Sequence, residues 1–235
     1  MGRGYGIVFS PSLSMATATD AVSSSVLDFS TDSDLLQTIT YPIVETFHSI
    51  QGEGQWIGVS AFFIRLAGCD VGCPWCDTKI SWSAKHHPQV VIADLVSQVQ
   101  AAKPRIVVIT GGEPLMHDLN PLTSALKPLD IRLHLETSGS HPYSGDFDWV
   151  TLSPKPFKHP LPEIYEQVSE LKAIIDQPKD FFWAESEAAK LNATIPKYLQ
   201  PQWENPASQD LIFQYILAHP EWRLGLQTHK FLGVQ

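Results

Sequence analysis

Apolar residues along this chain fall into short runs, several rich in β-branched residues, separated by stretches in which they recur at helical spacing. Residues 41–47, 59–66, 105–109, 131–135, 149–152 and 170–175 read as strands, with shorter ones at 197–199 and 222–226. The run 105–109 is of the kind that fills the middle of a parallel sheet. Ile92, Leu95, Val96 and Val99 lie on one helical face, and Lys103-Pro104 ends that helix. Asn120-Pro121 opens a second helix, residues 181–191 form a third, and Asn205-Pro206 opens a fourth that His219-Pro220 closes. Strands alternating with helices predict one α/β domain built on a parallel sheet.

Residues 1–38 break this pattern. Ser, Thr, Ala and Asp dominate, and the segment is expected to be a disordered tail ahead of a domain spanning 39–235. Its single arginine and several acids do not suit a transit peptide. The formal charge of −9 argues against non-specific nucleic-acid binding. No apolar run is long enough to span a bilayer, so a membrane role is not expected and a cytoplasmic location is.

The unusual polar residues fall just after strands, the edge on which parallel α/β folds place their sites. Ile50-Gln51-Gly52-Glu53-Gly54 follows the first strand and Arg65 ends the second. Gly111-Gly112-Glu113-Pro114, Glu136-Thr137-Ser138-Gly139, Ser153-Pro154-Lys155, Gln200-Pro201 and Gln227-Thr228-His229-Lys230 follow later ones. All three cysteines, Cys69, Cys73 and Cys76, lie within eight residues after the second strand. Clustered thiolates point to zinc or iron–sulfur. Zinc would need a fourth ligand, with His86 or His87 nearest; a four-iron cluster held by three thiolates would keep one iron open. An odd cysteine count speaks against a disulfide framework. Trp75 and Trp82 are expected to shield the loop and the two histidines to lie at the surface.

The spacing C-x3-C-x2-C, with an aromatic residue before the last cysteine, resembles the cluster loop of the radical S-adenosylmethionine superfamily. That resemblance implies an incomplete, open α/β barrel of TIM type. It also implies a 4Fe-4S cluster on Cys69, Cys73 and Cys76 whose open iron chelates S-adenosylmethionine. Gly111, Gly112 and Glu113 resemble the element that holds the methionine amino group. Ser138, Ser153, Lys155 and Gln200 resemble further cosubstrate contacts.

The whole set of motifs, in this order from residue 41 onward, is similar to the 7-carboxy-7-deazaguanine synthase family. This implies a lyase acting on a small pterin, 6-carboxy-5,6,7,8-tetrahydropterin, in 7-deazapurine (queuosine) biosynthesis. It further implies Mg2+, a homodimer and an external electron donor such as flavodoxin or ferredoxin. In that frame Arg65 clamps the substrate carboxylate, Glu136 reads the pyrimidine edge and Thr78 contributes to magnesium, with Asp77 beside it. Ile50, Gln51, Gly52, Glu53, Gly54 and His229 are the remaining expected substrate contacts. Two other readings stay open at this stage: another radical enzyme, such as a glycyl-radical activase, and a zinc-stabilised binding module.

Overall fold

Residues 36–235 are described here in a computed structural model of the chain. The expected tail lies outside them except for its last three residues, of which Leu36 packs against the core. Nine strands form a single sheet: β1 (Thr40–Ile50), β2 (Ser60–Leu66), β3 (Gln89–Val91), β4 (Ile106–Gly111), β5 (Arg132–Thr137), β6 (Trp149–Leu152), β7 (Glu170–Ile175), β8 (Lys197–Pro201) and β9 (Trp222–Leu224). Their order is β3-β1-β2-β4-β5-β6-β7-β8-β9, and from β2 to β9 every pair is parallel. With β3 and β9 left as edges, the sheet is an open, incomplete barrel.

Two features depart from the expected parallel sheet. β1 pairs antiparallel with β2 as a hairpin, with Ile50 opposite Ser60, so β1 runs past the expected end at residue 47. β3, absent from the sequence reading, is a three-residue strand that pairs antiparallel with β1. It is too short for periodicity to reveal.

Five α-helices lie within residues 92–235: α1 (Ile92–Ala102), α2 (Asn120–Leu126), α3 (Asp180–Ala188), α4 (Ala207–Ala218) and α5 (Thr228–Leu232). No α-helix separates β5 from β6, and only the 3-10 turn Pro162–Glu166 separates β6 from β7. α1 buries Ile92, Leu95 and Val99 completely and ends where Lys103 turns left-handed before Pro104. Alternate residues of the strands face two cores. Leu133, Leu135, Leu171 and Ala173 join the main core, which α1 to α4 also enter. Ala61, Phe63, Ile106 and Val108 pack separately with Phe47, Trp56 and Val59. None of the helices among the described residues is long and apolar enough to cross a membrane.

Candidate active site

The strand ends converge on one cavity of about 500 Å3. Every expected site residue lines it except Cys69 and Gly54. Gly54 has φ +63° and packs so closely on Glu170 that a Cβ there would lie 2.1 Å from Oε1. It shapes the loop and does not itself line the cavity.

The cysteine loop leaves β2 through Gly68 at φ +111°, a conformation that favours glycine. The 3-10 turn Lys79–Trp82 doubles back onto it, Gly68 N–H donating to Ser81 O at 2.7 Å and Cys69 N–H to Trp82 O at 3.1 Å. Cys76 N–H donates to Cys73 O at 3.1 Å, which keeps those thiols together. All three are free. Burial pushes the Cys69 and Cys73 thiols up, and the neighbouring sulfurs add to the effect. A positively charged metal group is what would offset that repulsion and hold thiolates there. Among the described residues, no three His, Cys, Asp or Glu side chains converge on one ion position. Cluster ligands attach to separate irons and need no common point, whereas structural zinc does. His87 Nε2 is 2.8 Å from the Ile80 carbonyl oxygen, and His86 is exposed, so neither completes a zinc site.

β4 brings Gly111 and Gly112 against this loop. A Cβ on Gly112 would lie 2.4 Å from Gly68 O and 2.7 Å from Cys69 Cβ, so only glycine permits the approach. Glu113 is buried and already satisfied. Oε1 accepts from Leu115 N–H (3.0 Å) and Thr137 Oγ1 (2.5 Å); Oε2 accepts from Ser138 N–H (2.7 Å) and Ser138 Oγ (2.5 Å). Glu113 thus clamps the end of β4 to the end of β5. Lys155 Nζ donates to Ser153 O (2.5 Å) and Ser153 Oγ (2.6 Å), and burial lowers its pKa to about 8. Gln200 is buried, lines the cavity, and its Oε1 has no partner. An orphaned acceptor on a cavity wall suits a ligand donor.

Another part of the lining is ionic. Lys172 on β7 is 6% exposed and stands between two carboxylates. It donates to Glu136 Oε2 at 2.6 Å and to Glu53 Oε2. Gln51 Nε2 donates to Glu136 Oε1 at 3.0 Å, and Gln227 Nε2 to Glu53 Oε1 at 2.8 Å. Burial alone would raise the Glu136 carboxyl, but Lys172 holds it below its ordinary value. Sequence reasoning missed Lys172. The signal was the alternation in β7, which puts Glu170 and Lys172 on the face opposite Leu171 and Ala173.

Arg65 Nε donates to Glu45 Oε1 at 2.8 Å; among the described residues its terminal nitrogens have no hydrogen-bond partner. Thr78 Oγ1 donates to Asp77 Oδ1 at 3.0 Å, and Asp77 Oδ2 accepts from Lys230 at 2.7 Å. His229 lies in α5. Thr228 fixes α5 to the hairpin loop, and burial keeps the His229 imidazole pKa below its usual value.

The chain resembles known proteins throughout this region. The Radical SAM superfamily model matches residues 63–155. The 7-carboxy-7-deazaguanine synthase of Synechocystis sp. is 60% identical over 200 residues, 85% of this chain and 96% of the relative. The Escherichia coli protein of the same name is 35% identical over 221 residues, 83% of this chain and 99% of the relative. The crystal structure of QueE from Escherichia coli superposes with a TM-score of 0.72 at 34% identity, covering 83% of this chain and 97% of that one.

Proposed function

The chain belongs to the 7-carboxy-7-deazaguanine synthase family of radical S-adenosylmethionine enzymes, and from that premise we propose that it converts 6-carboxy-5,6,7,8-tetrahydropterin to 7-carboxy-7-deazaguanine with loss of ammonia. The observation that carries this reading is the cavity itself, lined both by the cysteine loop and by the Glu53–Lys172–Glu136 network.

Cys69, Cys73 and Cys76 would hold the 4Fe-4S cluster. The Gly111–Gly112 turn, Ser138, Ser153, Lys155 and Gln200 would hold S-adenosylmethionine. When bound, these groups supply a carbon-centred radical for hydrogen-atom abstraction. The chain's own residues bind and orient. Arg65 offers its unpaired terminal nitrogens to the substrate carboxylate. Glu136 has lone pairs to spare beyond Gln51 and Lys172, and accepts the amino and N–H donors of the pyrimidine edge. His229, with its pKa held down by burial, faces the cavity as a neutral hydrogen-bonding group. Magnesium would take the Thr78 hydroxyl together with substrate oxygens, since it prefers oxygen ligands and keeps several from outside the protein. A flavodoxin or ferredoxin would supply the electron. A homodimer is supported by exposed apolar residues on α4, Phe213 and Leu217, and by the exposed pair Trp203 and Phe231, whose ring centroids lie 5.3 Å apart.

The test is an anaerobic assay of reconstituted protein with S-adenosylmethionine, reductant, magnesium and 6-carboxytetrahydropterin. Formation of both 5′-deoxyadenosine and 7-carboxy-7-deazaguanine is expected. Deoxyadenosine without the deazapurine would discard the substrate assignment. Zinc in place of iron, with neither product, would discard the enzyme.

A further inference from the structure

Lys172 has no role assigned by any motif, yet it joins both recognition carboxylates. It is the cation common to Glu53, from the loop after β1, and Glu136, from the end of β5. Two carboxylates this close, out of water, resist being charged together unless a cation sits between them. Resting on the substrate reading above, we infer that Lys172 is a positioning residue that lets Glu53 and Glu136 stand side by side, so that Glu136 meets the pyrimidine edge as an acceptor with no proton to shed.

The alternative sources of charge do not substitute for it. Arg65 acts on Glu136 only as a more distant charge, and its Nε is committed to Glu45. Lys155 is turned to Ser153. His229 is held toward neutrality by burial. Glu170, two residues before Lys172 on β7, is a further carboxyl whose influence on Glu136 has the wrong sign to help. Gln51 and Gln227 orient the two carboxylates but bring no charge. Removing Lys172 would therefore leave Glu136 to take up a proton. A protonated Glu136 presents one donor where the pyrimidine edge needs two acceptors.

The consequence is a proton linked to substrate binding. In Lys172→Met, 6-carboxytetrahydropterin must displace that proton, so its affinity should climb with pH by about tenfold per unit below the new midpoint. Cluster-loaded wild-type protein should bind with no such slope. Isothermal titration of the cluster-loaded protein in two buffers of different ionisation enthalpy reads the proton release directly, without turnover. Lys172→Met with Glu53→Gln removes the like charge and should abolish the slope; Lys172→Arg should restore wild-type behaviour. A Lys172→Met protein that binds more weakly by the same factor at every pH, releases no proton and gains nothing from Glu53→Gln would overturn the inference. Wild-type protein that fails to bind the pterin at all would instead remove the substrate reading on which the inference stands.

Discussion

The Gly52 carbonyl accepts two hydrogen bonds from Thr228, one from its N–H at 2.9 Å and one from its hydroxyl at 3.0 Å. This contact ties the β1–β2 hairpin loop to α5 and brings His229 over the loop. A Cβ on Gly52 would lie 2.1 Å from His229 Nδ1. Gly52→Ala should therefore push the imidazole out of the cavity. We expect kcat/KM to fall by roughly 10- to 100-fold, about 1.4–2.7 kcal/mol in the barrier. Iron content and the cluster absorbance should stay unchanged. Steady-state kinetics beside ultraviolet–visible spectra check both.

Arg65 separates binding from stability in the same way. Its ion pair with Glu45 is partly exposed, with side chains 20% and 34% accessible, so the pair contributes at most about 1 kcal/mol. Arg65→Ala should leave thermal unfolding nearly unmoved while turnover collapses. A loss of cluster absorbance in Arg65→Ala would give the residue a structural role instead.

Glu170 predicts a pH dependence of folding. Burial raises its carboxyl from 4.5 to about 7, although it accepts the Gln55 N–H at 2.7 Å. A folded pKa above the unfolded one means the native state binds more protons between those values. The stabilisation is complete below about pH 4.5 and is lost as pH rises through about 7. The span corresponds to roughly 3 kcal/mol. Glu170→Gln retains an acceptor for Gln55 and removes the titration. It should unfold at higher denaturant than wild type at pH 8 and lose that advantage near pH 5. Urea melts at the two pH values decide it.

The sequence carried the strands of the parallel sheet because their apolar runs are bounded by turns, and the site because its polar residues follow those runs. Trp149–Leu152 and Glu170–Ile175 were legible to the residue. The remaining features have weak local signals. β3 has three residues, and its place at the far side of β1 depends on the hairpin rather than on its own composition. α5 has no apolar face to announce it, being held by Thr228 and by Lys230 on Asp77. Lys172 sits inside a strand that reads as ordinary core, where a lysine suggests solvent until its two carboxylate partners are seen. The Glu113 motif was legible, but its burial was not: four donors already occupy the carboxylate.

Apart from β3, each strand from β2 to β9 pairs with the one that precedes it in sequence. As the nascent chain leaves the ribosome, the sheet can therefore extend at a single advancing margin. The thiols of Cys69, Cys73 and Cys76 emerge near the beginning of that growth, while β7, with Lys172, and α5, with His229, come near its end. Lys172 and His229 follow Cys76 in the chain by 96 and 153 residues, so the sulfurs are synthesised well before these residues that line the same cavity.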